Sequence, residues 1–308
     1  MGTPQAAVPS LERIIADGHE IVAVYTQPDR PSGRGNKITF SPVKTFAIEN
    51  GLAIFQPTKI KTPEAIESFR SHAADVAVVV AYGRILPETY LTAFEKGAVN
   101  VHFSLLPKYR GAAPVNWVIV NGEKETGVTT IKMDAGLDTG DILIQTATEI
   151  GEKETSIMLM ERLAIIGSDA LSQTLERFDS LMPKPQDHAQ ATLAPIMRKE
   201  DGLIDWYLPA SKIINRVRGF QPFPTTFSTF NGSRLTLWEA VEITSIEDLE
   251  FGEPGTIIRA KGDALYIACG EETILSVLEL QPEGKRRMAT RDFNNGVQPK
   301  VGTKLGSD

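Results

Sequence analysis

The stretch NVHFSLLPKYRGAAP, residues 100–114, follows the short apolar run GAV and ends an apolar strand pattern in a loop rich in polar side chains. On both sides of it, short β-branched runs alternate with segments of helical periodicity. This alternation is typical of a largely parallel sheet whose strands are joined by crossover helices. The first two-thirds of the chain are therefore predicted to form an α/β domain with a mostly parallel sheet.

The elements of this domain follow from the same periodicities. Strands are expected at 20–27, 52–57, 75–83, 97–104, 127–134 and 141–148, and helices near 9–17, 42–50, 63–72, 86–94, 114–121 and 155–178. The last helix closes the domain, which we assign to residues 1–180. A Gly-Thr-Pro turn at 2–4 leads into the first helix, where such a sheet normally has a preceding strand. We expect that a first strand is missing from the chain as numbered.

A change of composition marks the end of this domain. Residues 181–205 mix Pro, Gln, Asp and Ala without a sustained period, which predicts a linker. A helix at 209–218 and short strands separated by Gly, Asp and Glu turns follow, at 234–243, 255–260, 264–269 and 273–280. Residues 206–308 are therefore predicted to form a small β-barrel or sandwich.

Composition limits the class of protein. The 308 residues, 42% of them hydrophobic and 23% charged, suffice for two cores. No apolar run reaches the roughly 18 residues of a membrane span, so we expect a soluble, cytoplasmic protein. The net charge of −7 argues against indiscriminate nucleic-acid binding but permits a local basic patch. Cys269, the single cysteine, lies in an apolar run and is expected to be buried.

Asn100 and His102 are two residues apart on a predicted strand, and the strand period of two places both side chains on one face. This face lies where open α/β sheets bind ligands. A histidine that merely caps a buried strand is the alternative interpretation.

A second polar group lies in MDAGLDTGDIL, 133–143, where Asp134, Asp138 and Asp141 stand among glycines. Asp and Gly also fill ordinary tight turns, so composition alone favours a structural role. A carboxylate held against His102 would instead orient the ring and make it a usable proton acceptor.

Asn, His and Asp together form a set suited to acyl transfer, in which an amine attacks a carbonyl carbon. The Asn100 amide would stabilise the oxyanion, and His102 would accept the amine proton. Ser104 lacks a recognisable base, so direct transfer is favoured over a covalent intermediate. No metal-binding motif occurs in the sequence, and no metal is expected.

Two basic segments remain. Residues 28–44 form a Gly-, Pro- and Arg-rich loop that is either a solvated linker or a loop that grips RNA. The second basic segment, 284–287 with Arg291, lies in a predicted turn of the C-terminal domain, and exposed charge runs of this kind are usually solvated surface.

Several segments together resemble the methionyl-tRNA formyltransferase family. The resemblance rests on residues 100–117 followed by 125–143, and it extends to 2–14, 25–35, 78–87, 218–227 and 280–288. It implies a Rossmann-like formyltransferase domain and a C-terminal OB-like barrel that binds tRNA. The implied reaction moves a formyl group from 10-formyltetrahydrofolate to the methionine on initiator tRNA. Independently of the resemblance, we expect a monomer with no metal and no membrane partner.

The resemblance also implies roles for individual residues. The catalytic set falls on Asn100, His102 and Asp138. The folate contacts fall on Ser104, Leu105, Leu106 and Pro107. The surface against which the pterin packs falls on 78–87. The tRNA contact falls on Arg34. Phe103 occupies a position where a small residue is also seen in this family. The missing first strand suggests that the start of translation is placed too far downstream.

Two other functions stay open. A related formyl transfer could use another amine, such as a purine precursor or a nucleotide sugar, although a further barrel with basic turns argues against a small acceptor. A non-catalytic RNA- or folate-binding protein is the second alternative. A nicotinamide enzyme is disfavoured because no glycine fingerprint follows a first strand.

Overall fold

The chain divides into two compact units in the computed structural model, which describes residues 1–32, 37–244 and 251–306. Unit 1 comprises Met1–Pro114, Glu125–Glu149 and Leu159–Pro195. Unit 2 comprises Val115–Lys124, Ile150–Met158 and Ile196–Asp308. The segment 181–195, which sequence composition predicts as part of a linker, therefore packs within unit 1.

Six of the helices in the described residues follow the predicted apolar periodicities closely, whereas the fourth along the chain is shorter than predicted and the last was not predicted. The helices are α1 (Val8–Ala16), α2 (Pro42–Glu49), α3 (Pro63–Arg70), α4 (Glu88–Leu91), α5 (Pro114–Val120), α6 (Ser156–Glu176), α7 (Ala210–Gly219) and α8 (Thr290–Val297). Local chemistry sets their starts: Ser41 and Thr62 cap α2 and α3 by accepting from the backbone N–H of Lys44 and Ala65. None of the helices in the described residues is both long and apolar enough to cross a membrane.

The strands are mostly shorter than predicted in the first half of the chain. In chain order they are β1 (Val24–Tyr25), β2 (Arg30–Ser32), β3 (Lys37–Thr39), β4 (Ile54–Phe55), β5 (Ala77–Val79), β6 (Ala98–His102), β7 (Arg110–Gly111), β8 (Glu125–Lys132), β9 (Asp141–Glu149), β10 (Leu193–Ala194), β11 (Thr226–Phe230), β12 (Ser233–Ile243), β13 (Ile257–Lys261), β14 (Ala264–Ala268), β15 (Ile274–Pro282) and β16 (Met288–Ala289).

The sheet of unit 1 confirms the predicted α/β class and adds an antiparallel edge. Strand β6 pairs in parallel with β5 and antiparallel with β8, which in turn pairs antiparallel with β9. Strands β1 and β4 pair in parallel. The turn 133–140 between β8 and β9 is too short for the crossover that parallel strands require, so β9 returns antiparallel.

The first two residues occupy a position between β1 and β5. The Gly2 N–H donates to Tyr25 O at 2.9 Å, and the Val80 N–H donates to Met1 O at 2.9 Å. An apolar groove continues from Met1 and is lined by residues that include Leu11, Ile14, Ile21 and Val76. A strand before the Gly-Thr-Pro turn stays a prediction.

Unit 2 is built around an antiparallel sheet, as the sequence predicts for the second domain. Its strand order is β11-β12-β15-β14-β13, and β16 pairs with β15. Helix α7 contributes Ile213 and Val217 to the same apolar core as Leu237 and Leu275 of the sheet. The expectation for Cys269 is confirmed, because this side chain is 1% exposed within that core.

Candidate active site

The candidate site begins at the carboxyl end of β6. Hydrogen bonds to β5 on one side and β8 on the other fix this strand, with Val79 opposite Asn100 and Thr129 opposite His102. Because side chains alternate along a strand, Asn100 and His102 lie on one face. The predicted pair therefore shares a rigid base within unit 1.

His102 is buried, and its two ring nitrogens face two different acceptors. Nε2 lies 3.0 Å from the carbonyl oxygen of Tyr109. Nδ1 lies 3.6 Å from Oδ2 of Asp138, within ion-pair distance but longer than a hydrogen bond. A carbonyl can only accept, so the neutral ring carries its proton on Nε2 and leaves Nδ1 as its basic atom. Proton uptake at Nδ1 would create an imidazolium that faces the Asp138 carboxylate.

Asp138 reaches this position from the turn between β8 and β9. Its backbone has φ of 53°, in the left-handed region, and its side chain is 17% exposed. Oδ2 accepts a hydrogen bond from the Gly111 N–H at 2.8 Å. Asp134 instead closes the turn, since its Oδ1 accepts from Gly136 N and Thr139 Oγ1.

Asp141, the third aspartate of the motif, is the exposed first residue of β9. The structure therefore brings Asp138 to the imidazole and gives Asp134 a structural role.

Asn100 keeps part of its hydrogen-bonding capacity open. Its Nδ2 donates to Val79 O at 3.0 Å, while its Oδ1 is buried and has no partner in the described part of the chain. An amide nitrogen has two N–H groups, and the bond to Val79 uses one of them. The side chain can therefore offer a bound ligand one donor and one acceptor.

The predicted folate loop divides into inward and outward residues. Ser104 and Leu106 are 0% and 3% exposed, so their side chains are internal, whereas Leu105 and Pro107 are half-buried. Thr129 organises this loop from β8: its Oγ1 donates to Ser104 O at 2.6 Å and accepts from Leu106 N at 3.2 Å. Contact with a ligand through Ser104 or Leu106 would thus use backbone atoms.

The predicted pterin surface, 78–87, runs from β5 into a turn tied to the N-terminal loop. The Tyr82 carbonyl accepts from Thr3 Oγ1 and Gln27 Nε2, and Arg84 Nε donates to Gln27 Oε1. Ile85 in the same turn is 77% exposed. This turn presents an apolar side chain on a cross-linked backbone.

The predicted tRNA contacts have two different outcomes. Arg34 lies outside the described residues. In the basic cluster of unit 2, Arg287 pairs with Glu279, and Arg291 pairs with Asp263. Lys285 and Arg286 in the same turn are exposed. Part of the cluster is therefore neutralised locally.

Other residues of the site escaped the sequence analysis. Gln186, in the predicted linker, is 6% exposed and donates through Nε2 to Asp138 O and Gly140 O. Its Oε1 accepts from Arg110. A side chain that bonds to backbone carbonyls leaves no periodic sequence signal, and the only available hint was a glutamine in a segment without a pattern. Among the described residues, no group of three His, Cys, Asp or Glu side chains could hold a metal ion.

The chain is similar to known proteins over nearly its whole length. Residues 1–175 match the formyl transferase family and residues 196–298 match the formyl transferase C-terminal domain. The methionyl-tRNA formyltransferase of Solibacter usitatus is 46% identical, covering 99% of this chain and 97% of that protein. That of Koribacter versatilis is 48% identical with the same coverage.

A solved structure supports the fold alone. The N-formyltransferase of Helicobacter canadensis, in complex with folinic acid and dTDP-3-aminofucose, has a TM-score of 0.64 and 19% identity, covering 91% of this chain and 97% of its own.

Proposed function

The chain belongs to the methionyl-tRNA formyltransferase family, and we propose that it transfers the formyl group of 10-formyltetrahydrofolate to the α-amine of initiator methionyl-tRNA. The observation that carries the proposal is the approach of Asp138 to His102 at the end of β6, the strand that also holds Asn100. A base, a charge that stabilises its protonated form and a neutral amide donor suffice for acyl transfer to an amine.

His102 is the proton acceptor in this proposal. The methionyl α-amine has a pKa of about 7.7, so a usable neutral fraction is present at pH 7. As the amine attacks, its proton passes to Nδ1 of His102, the atom that the Tyr109 carbonyl leaves basic. The Asp138 carboxylate then stabilises the imidazolium at a distance of 3.6 Å. The same nitrogen returns the proton to the leaving amine.

The folate co-substrate fits the polar groups that the site leaves open, because Asn100 has a buried Oδ1 without a partner in the described residues and a second amide N–H. When bound, the co-substrate supplies an activated formyl carbon. Asn100 donates to the formyl oxygen as negative charge develops there, without adding a charge to the resting site. Ser104, Leu105, Leu106 and Pro107 hold the co-substrate through the loop that Thr129 organises.

The tRNA is assigned to a second region of the chain. We assign formyl transfer to residues 1–180 and tRNA contact to residues 206–308 and Arg34. Of the linker 181–205, the part 181–195 packs within unit 1. The exposed Lys285 and Arg286 support a local contact with phosphate groups despite the net charge of −7.

A formylation assay with the purified chain tests the proposal. The expected result is transfer from 10-formyltetrahydrofolate to initiator methionyl-tRNA, with no product from uncharged initiator tRNA. A nucleotide amino sugar serves as the competing acceptor. Transfer to the sugar alone would assign the chain to a different formyl transfer, and tRNA or folate binding without turnover would indicate a binding protein.

A further inference from the structure

Gln186 is buried although residues 182–185 and 187–190 are exposed, and all hydrogen-bonding positions of its side-chain amide are used. Nε2 donates to Asp138 O at 2.9 Å and to Gly140 O at 2.7 Å. Oε1 accepts from Nε and Nη2 of Arg110 at 3.1 Å and 2.6 Å. A flipped amide would set its oxygen against two carbonyls and its nitrogen against a guanidinium. The contacts therefore fix the orientation of this amide.

These contacts close a ring of interactions around the carboxylate. Gly111 holds the Asp138 side chain through its N–H, and Gln186 holds the Asp138 backbone through its carbonyl. Arg110, which binds Gln186, immediately precedes Gly111 in the chain. The position of Asp138 is thus fixed from two sides by groups that are themselves joined.

Short strands anchor this ring. Strand β7 pairs in parallel with β10, and the Arg110 N–H donates to Thr192 O at 2.9 Å. The Arg110 guanidinium also contacts Nδ1 of His188 at 3.0 Å, just beyond Gln186 in sequence. The segment 186–194 is therefore held at both ends against the loop that carries Gly111.

We propose that Gln186 is a positioning residue for formyl transfer, which holds the 138–140 turn so that the Asp138 carboxylate faces Nδ1 of His102. The Asp138 backbone lies in the left-handed region, which Asp tolerates better than most residues other than glycine, and the bonds from Gln186 and Gly111 hold the turn in that conformation. The kinetic part of this inference rests on the proposed function, whereas the placement of Asp138 can be tested without turnover.

The kinetic test is a double-mutant cycle between Gln186→Met and Asp138→Asn. Gln186→Met keeps the side-chain length and removes all four hydrogen bonds. We expect kcat to fall about 10- to 100-fold with KM nearly unchanged, because misplacing a reacting group by about 1 Å costs this much. In the Asp138→Asn background the same substitution should lower kcat less than about threefold. Gln190→Met is the matched control, since Gln190 bonds to Asp187 in the same segment.

The spectroscopic test measures the ¹⁵N signals of the His102 ring at pH 7, identified by their loss in His102→Gln. Gln186→Met should move them in the same direction as Asp138→Asn, and Gln190→Met should not. This outcome supports the placement even if the wild-type chain fails to formylate methionyl-tRNA, a result that would overturn the proposed function alone.

Three results would overturn the inference. The first is wild-type turnover in folded Gln186→Met. The second is a double variant whose loss of kcat equals the product of the losses in Gln186→Met and Asp138→Asn. The third is a change of the His102 signals in Asp138→Asn but not in Gln186→Met. If Gln186→Met does not fold, Gln186→Glu replaces it, because the carboxylate keeps the bond to Arg110 and repels the two carbonyls. Failure of both variants to fold would assign Gln186 a structural role instead.

Discussion

Nδ1 of His102 lies 3.6 Å from Oδ2 of Asp138, although one residue ends a strand and the other sits in a distant turn. The separation lets the two atoms attract as an ion pair once the ring is protonated. It is too long for a hydrogen bond, so Tyr109 rather than Asp138 fixes the tautomer of the neutral ring. Asp138 therefore acts on the charge of the ring more than on its orientation.

Removing either member of this pair should lower turnover. His102→Ala and Asp138→Ala are each expected to reduce kcat for formyl transfer by about 10²- to 10⁴-fold, the range that general acid–base catalysis supplies. Binding of tRNA should change far less, because neither side chain is exposed enough to contact a large ligand broadly. Single-turnover formylation and filter binding measure the two quantities.

Asp141→Ala is the matched control for this pair, since Asp141 is exposed and lies in the same motif. Near-normal turnover in both His102→Ala and Asp138→Ala would remove the assignment.

The site could be predicted from sequence only where short-range geometry sets it. A strand period of two was enough to align Asn100 with His102. Turn composition could not separate Asp138 from Asp134 and Asp141, because Asp favours such turns for local reasons, and family resemblance made that choice. The role of Gln186 could not be predicted, because its Nε2 donates to backbone carbonyls that are distant in sequence.

The fold shows the same division between local and distant effects. Apolar periodicity located α1, α2, α3, α5, α6 and α7 to within two residues. Helix α8 was missed because its Asn and Gly residues have low helix propensity, and burial of Thr290 and Phe293 overrides that propensity. The predicted strand 20–27 is reduced to Val24–Tyr25, since strand length depends on which neighbours pair with it.

Asn100 should contribute through its amide donor. Asn100→Asp replaces the donor by an anionic oxygen of equal size, placed against Val79 O and the developing charge. We expect kcat to fall about 10²- to 10³-fold, as for loss of one oxyanion donor. Steady-state kinetics with a thermal melt of the same variant separate this effect from the loss of the bond to β5. A folded variant with kcat within threefold of wild type would contradict the role.

Thr129 should control affinity for the folate co-substrate. Its side chain is 0% exposed, and Thr129→Val would leave Ser104 O and Leu106 N in the folate loop without their partner. Each such buried group costs about 1–3 kcal/mol, so the loop should shift and KM for the co-substrate should rise while KM for tRNA stays constant.

The control on the same strand is Thr126→Val. The Thr126 hydroxyl is buried and has no partner among the described residues, so its removal should leave the kinetics unchanged. Equal KM values for the co-substrate in both variants would show that the Thr129 bonds do not shape the loop.

Cys269 should make stability depend on alkaline pH. Burial raises the pKa of its thiol from 9.0 to about 12. Above pH 9 the unfolded chain loses this proton and the folded chain keeps it, so the free energy of unfolding falls by about 1.4 kcal/mol per pH unit up to pH 12. Urea unfolding at several pH values should show a shallower fall for Cys269→Ala. Equal slopes for both proteins would mean that the Cys269 thiol ionises at the same pH in the folded protein as in the unfolded chain.

Gly140 should be required for the turn that carries Asp138. A Cβ atom at this position would lie 1.9 Å from the Lys132 carbonyl oxygen, a backbone atom of β8 that can move only with the hairpin. Gly140→Ala should therefore displace the turn, break the bond from Gln186 to Gly140 O and lower kcat about 10²-fold. Gly296→Ala is the control, because space is open around Gly296 in α8 and alanine favours helix there by about 1 kcal/mol. Formylation assays and thermal unfolding measure the two variants. A normal kcat in Gly140→Ala would mean that catalysis does not require this placement of the turn and of Asp138.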